Sequence, residues 1–272
     1  MPTKYATSAL SKTLAKTFSG GAKGAAKMPA KKTMSIMMGG SNMLGGSNML
    51  GGSNMLGGAT STQSFINLLN DKKQFLIYVF STLIVQLGIT YYVMMNYNIK
   101  NTTLSNVLLF ISQIIMIIVL ALVPMPAWMK FIIFTAFSTS FGIMLSSLKT
   151  QVDINIIQTA ILGTMGIFAS MFGAGLGLIL FGVKLGSQFG FALFCALLLL
   201  IVSTIVIKLL GAYSTMTKGL SIVSLLLFSL FIIYDTNNIL QRDYYGDFVT
   251  ASLDYYLDIL NVFVNLVNLE NN

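Results

Sequence analysis

The sequence predicts an all-α fold, a polytopic membrane protein built as a seven-transmembrane-helix bundle. Three observations carry that prediction. Only 9% of the 272 residues are charged and 55% are hydrophobic, with a mean hydropathy of +0.80, whereas a soluble domain carries about 25% charged residues. From residue 75 onward, apolar stretches of about twenty residues, each enough to cross a hydrocarbon core, recur seven times. The breaks between them are short, which makes consecutive helices antiparallel neighbours.

The first sixty residues stand apart from this pattern. They hold seven lysines and no acid. The segment "YATSALSKTLAKTFSG" places Ala6, Leu10, Leu14 and Phe18 at i, i+4 spacing, with Lys12 and Lys16 opposite. That arrangement suits a basic amphipathic helix on an anionic membrane surface. It also resembles an organelle presequence, and a plain disordered tail is the third reading. Residues 39–58 read GGSNML three times and then GG, a glycine-serine composition that buries no core and serves as a spacer. The chain therefore divides into a disordered basic tail, 1–60, and a membrane domain, 61–272.

Seven spans follow, at 75–95, 104–123, 128–148, 156–180, 187–207, 219–240 and 248–269. Their breaks fall at Asn96–Thr103, Pro124–Pro126, Lys149–Asn155, Gly182–Gly186, Lys208–Lys218 and Gln241–Asp247. With the N-terminus cytosolic, that side holds twelve Lys and Arg residues against four on the other. The positive-inside rule then places the N-terminus in the cytosol and the C-terminus outside. Asn101-Thr102-Thr103 is a glycosylation sequon on the outer side, close to two spans.

Composition narrows the chemistry. There is no histidine and one cysteine, Cys195, so zinc, haem and Cys–His catalysis have almost nothing to build on. No cofactor is expected, and no enzyme activity. The basic tail lacks interleaved aromatics and a folded basic face, which argues against nucleic acid. The partners expected are the bilayer itself and whatever the membrane domain conducts or contacts.

The acids of the membrane domain are the informative residues. Asp71, Asp153, Asp243, Asp247 and Glu270 fall at span ends or in loops, where a solvated face explains them. Asp258 lies mid-span. With Asp254, Asn261, Asn265 and Asn268 it steps by three or four residues, making one face of the last helix polar throughout. Such a face looks into the bundle or a wet cavity. In the sixth span Ser221, Ser224, Asp235 and Asn238 share a face, interrupted by Phe228 and Phe231. Two stripes on adjacent helices, each with a deep aspartate, set Asp235 opposite Asp258.

"FIIYDTNNIL" followed by "ASLDYYLDILNVFVNLV" closely resembles the signature of the Bax inhibitor-1 family, as do "FLIYVFSTLIVQLGIT" and "FIIFTAFSTSFGIML". The resemblance covers about residues 65–270. It implies a seven-helix bundle with the last helix central, a pH-sensitive calcium leak, and a link to suppression of cell death through cell-death regulatory membrane proteins. It also makes Asp235 and Asp258 the family's paired carboxylates, a pH gate that binds Ca²⁺ weakly as the transported ion. Two carboxyls in contact cannot cheaply both ionise and share a proton. Sharing ties the sixth helix to the seventh. Losing the proton adds repulsion and frees hard oxygen ligands of the kind Ca²⁺ prefers. Asp254, Asn261, Asn265 and Ser224 form the supporting polar stripe.

Two departures stand out. Where the family often has a second-helix carboxylate and an arginine latch, gapless matching puts Gln113 and Pro124, and Lys130 is the candidate substitute for the arginine. Eukaryotic relatives imply the endoplasmic reticulum or Golgi; the presequence-like tail keeps the mitochondrial inner membrane open, with the plasma membrane a further alternative.

Other readings compete. Paired membrane aspartates also mark intramembrane aspartyl proteases, and Tyr234–Asp235 supplies their first motif. Asp258, preceded by Tyr255, Tyr256 and Leu257, lacks the Gly-x-Gly-Asp of the second. A non-conducting scaffold or anti-apoptotic interaction protein, with aspartates that only hold helices together, is the other alternative. "GAGLG" at 173–177 lacks a preceding strand for a nucleotide loop. Gly173 and Gly177 instead form a GxxxG pair expected to bring helices close, with Gly163 and Gly166 likewise.

Overall fold

The computed structural model describes residues 57–97, 103–210, 215–242 and 244–271. The basic amphipathic segment, nearly all of the GGSNML repeats, Asn101 and Asp243 lie outside the described residues. Seven long helices and one short one make up the membrane domain: α1 Gly57–Asn96, α2 Thr103–Leu122, α3 Ala127–Leu145, the four-residue α4 Leu148–Gln151, α5 Ile154–Leu180, α6 Ser187–Leu210, α7 Thr215–Gln241 and α8 Phe248–Glu270. There is no strand among the described residues. The all-α, seven-helix prediction holds.

Six of these helices are long and apolar enough to cross a membrane. The seventh, α8, spans 23 residues but carries two aspartates and three asparagines. It packs against α1, α3, α5 and α7 at once, which makes it the central helix and shelters its polar groups from lipid. By contrast, α2 packs extensively only on α3, and α6 only on α7.

Two boundaries differ from the sequence reading. Helix α1 begins at Gly57 and runs for 40 residues, about 60 Å, twice the thickness of a hydrocarbon core. Its first turns hold Phe65, Leu68 and Leu69 half-buried, a helical spacing that carries the helix back beyond the apolar span. The predicted break at 149–155 holds most of α4, and α5 starts within it at Ile154, after Val152 and Asp153. There the Asp153 carboxylate caps the helix, accepting from the Asn155 N–H at 2.8 Å.

The helix ends gather as antiparallel packing requires. Lys72 Nζ donates to the Arg242 carbonyl at 3.0 Å, and Asn237 joins Val183 and Leu185, all at one end of the bundle. At the other end Lys149 Nζ donates to the Met95 carbonyl at 2.8 Å. Helix α5 closes on Gly182, φ 76°. The Gly182 N–H reaches Ile179 O and the Val183 N–H reaches Leu178 O, the Schellman arrangement that needs a left-handed residue.

The close helix approaches do not use the predicted GxxxG pair. A Cβ on Gly173, Gly177 or Gly166 would meet nothing within 4 Å, whereas one on Gly175 would strike Thr236 of α7. Two residues are about 200° around a helix, so Gly173 and Gly177 turn away from the face on which Gly175 packs. Gly163 does approach a neighbour, at 3.1 Å from Leu266 Cδ1. The tightest backbone approach is at Gly142 of α3, whose Cβ would lie 2.7 Å from the Thr90 carbonyl oxygen of α1. Any side chain there pushes the two helices apart.

Candidate functional site

Adjacent tyrosines set the rotation of α8. Tyr255 is fully buried among Phe80, Phe168 and Phe172, and its hydroxyl donates to Thr236 Oγ1 at 3.0 Å. Tyr256, also fully buried, sits among Phe134, Phe137 and Phe141. Its hydroxyl lies 2.5 Å from Thr90 Oγ1. Burying two large rings on separate flanks leaves the face with Asp254, Asp258, Asn261, Asn265 and Asn268 turned toward a cavity of about 1180 Å³.

The two deep aspartates meet on that cavity's wall. The Asp235 side chain of α7 is in hydrogen-bonding contact with that of Asp258. Asp258 is 4% exposed, and its Oδ2 has no hydrogen-bond partner. Asp254, one turn earlier, accepts from the Tyr244 hydroxyl at 3.3 Å. Burial, reinforced by the Asp254 carboxylate, pushes the Tyr244 phenol well above its ordinary value, so it stays a donor. Farther along, Asn265 Nδ2 donates to Ser224 Oγ and to the Asn261 carbonyl, both at 2.7 Å. Asn261 Nδ2 donates to the Leu257 carbonyl. From Asp254 to Asn268 the cavity follows about 21 Å of α8. The predicted stripe, with Ser224, thus lines one wall of the cavity, with Leu257 and Val264 between its polar groups. Asn238 is not part of it.

Helices α2 and α6 flank the other side with Phe110, Ile114, Leu200 and Ile201. Gln113, at the place of the family's carboxylate, is buried on this lining and donates to Ser140 Oγ at 3.4 Å. No basic side chain among the described residues lines the cavity. Among the described residues, no three His, Cys, Asp or Glu side chains come close enough to hold a metal ion.

Lys130 is not the expected substitute for the arginine. It is 7% exposed, and its Nζ donates to Asp247 Oδ2 at 2.5 Å and to Thr250 Oγ1 at 3.0 Å. A buried ammonium already held by a carboxylate and a hydroxyl has no reason to reach the aspartate pair. Asp247 is correspondingly more than a solvated loop acid. Its Oδ1 accepts from the Thr250 N–H at 3.1 Å, capping α8. Burial by itself would raise the Asp247 carboxyl; the hydrogen bonds from Lys130 and Thr250 outweigh it and hold the group below the ordinary carboxylate range. The sequence does carry a sign of this cap, in "GDFVT", where an aspartate precedes the final apolar run. Nothing in the pattern pointed to Lys130 as its partner.

Residues 72–271 match the family model described as inhibitor of apoptosis-promoting Bax1. The chain belongs to that family. This Bax inhibitor family protein is 33% identical over 147 residues to the protein LIFEGUARD 1 of Arabidopsis thaliana, covering 52% of this chain and 58% of the relative. It is 32% identical over 136 residues to the Golgi anti-apoptotic protein of vaccinia virus strain Lister, covering 49% and 54%. It is 30% identical over 135 residues to lifeguard 4 of Mus musculus, covering 48% and 53%. The matched region thus spans little more than half the length of each of these relatives. In this Bax inhibitor family protein the family match includes both deep aspartates and the Lys130–Asp247 pair, but not the N-terminal tail.

Proposed function

We propose that this Bax inhibitor family protein is a pH-sensitive Ca²⁺ leak of an internal membrane, the endoplasmic reticulum or Golgi, that restrains cell death without enzymatic activity. The observation that carries the reading is the Asp235–Asp258 contact on the wall of a cavity inside a membrane bundle. Carboxyls at membrane depth are expensive and mark ion or proton pathways. Here one oxygen of Asp258 is left without a partner. The shared proton holds α7 to α8. Its loss sets two carboxylates against each other and loosens the pair, leaving oxygen ligands for a hard cation along a wall of amides and hydroxyls. Two carboxylates bind such a cation weakly, which suits passage. The cell-death role and compartment draw on the vaccinia relative, whose name describes a Golgi anti-apoptotic protein.

A specific observation favours the non-conducting scaffold as a second reading. Among the described residues no basic group stands on the cavity wall in the place of the family's arginine latch. Reconstituting the purified chain in liposomes decides between the two. A Ca²⁺ flux that rises as pH is stepped from about 5 to about 8 is the expected result for a leak. No Ca²⁺ flux at any pH establishes the scaffold. A fluorescent fusion outside both the endoplasmic reticulum and the Golgi overturns the assigned compartment.

A further inference from the structure

The cavity is far larger than an ion requires. Ca²⁺ is held by oxygens at about 2.4 Å, whereas about 1180 Å³ lies just above the usual range of organic-ligand pockets, about 300–1,000 Å³. Its lining is divided. The α7–α8 side presents Asp235, Asp254, Asp258 and Asn261, and the α2 and α6 side is mostly apolar, with Phe110, Ile114, Leu200 and Ile201 beside Gln113 and Thr204. Helices α2 and α6 each pack on a different neighbour and make no extended contact with one another. Phe110 is 57% exposed and Ile201 45% exposed, so the apolar side of the cavity gives onto lipid between the two helices.

Charge decides what fits. Among the described residues the wall holds three carboxyls and no lysine or arginine, and Asp258, nine-tenths buried, lines it with an Oδ2 that meets no N–H or O–H donor. A buried acceptor without a donor is costly to leave unfilled, and an ammonium supplies up to three N–H donors and a compensating charge. The apolar flank and its opening to the bilayer supply a place for a hydrocarbon chain.

We propose that this cavity binds a membrane-dissolved long-chain primary amine, its ammonium held by Asp258 and Asp235 and its chain lying between α2 and α6. The inference goes beyond Ca²⁺ conduction and stands on the cavity alone, whether or not the aspartate pair gates a leak. Occupancy plugs the polar wall and bridges the two carboxyls, which makes the amine a blocker where a leak exists.

The test is binding without Ca²⁺. The full chain in zwitterionic nanodiscs is labelled with a diazirine-bearing hexadecylamine, and the modified peptides are mapped. Saturable labelling of α2 and α6 is expected, competed by hexadecylamine and not by hexadecanol or butylamine. Asp258→Asn lowers it by about tenfold or more. Ile201→Trp, which narrows the opening on an exposed helix and leaves the carboxyls intact, lowers it as well, so the result does not depend on a buried variant folding. Labelling that never saturates, that hexadecanol competes equally, or that both variants leave unchanged overturns the proposal.

Discussion

Asp235→Asn and Asp258→Asn are each expected to abolish most of the pH response of Ca²⁺ flux in reconstituted liposomes. Two unit charges about 4 Å apart repel by about 4 kcal/mol at an effective dielectric constant of 20. A tenfold change in an open population needs only about 1.4 kcal/mol. Ionising both carboxyls is therefore more than enough to drive opening, and a neutral amide in either place removes the conflict. The groups that face the pair are few. Asp254 stands on α8, and Tyr244 and the exposed Arg242 act from the α7–α8 loop; among the described residues, α2, α3 and α6 contribute no charge to the cavity wall. Asp71→Asn, on an exposed turn of α1, is the control and leaves the profile unchanged. If both deep variants keep the wild-type pH dependence while the wild type plainly leaks, the gate is elsewhere.

Asp247→Ala should be the most destabilising single change among the charged residues, by about 2–4 kcal/mol. Removing one partner of a buried ion pair costs about 3–5 kcal/mol. That is reduced here because the Asp247 side chain is 30% exposed, against 8% for Lys130. Loss of the α8 cap adds about 1 kcal/mol. The reciprocal change is milder, because in Lys130→Met the aspartate keeps its cap and reaches water. The pH dependence has a definite sign. The Asp247 carboxyl is held below its ordinary range, so its contribution is complete above the unfolded value near about 4 and is lost as pH falls through the lower folded value. Lys130→Met shrinks that acid-side loss. Thermal unfolding in detergent from about pH 3 to 7 measures both effects. An Asp247→Ala variant as stable as Asp71→Asn would falsify the clamp.

The bundle and the deep aspartates were legible in the one-dimensional pattern because the bilayer imposes strict rules. A hydrocarbon core demands about twenty apolar residues per span, so the runs ending near Asn96, Leu122 and Gln241 announce themselves. A carboxylate inside such a run is rare enough that Asp235 and Asp258 stand out, and the three-to-four spacing of Asp254 through Asn268 states which face is polar. What lay beyond the pattern depends on the neighbours each side chain meets. Lys130 reads as a substitute for the arginine latch until α3 and α8 are packed together, and then it is the buried partner of a residue 117 positions away. Gly173 and Gly177 match a helix-contact motif, yet the contact falls on Gly175, because rotation about a helix axis is set by packing and not by the presence of glycine. Tyr255 and Tyr256 look like two apolar residues among many. Only the six phenylalanines around them, drawn from α1, α3 and α5, fix the angle at which α8 turns its carboxyls into the cavity. Membrane insertion is a property of each segment alone, which a sequence displays directly. Helix rotation and ion pairing are sums over several segments, and they exist only once the helices have packed.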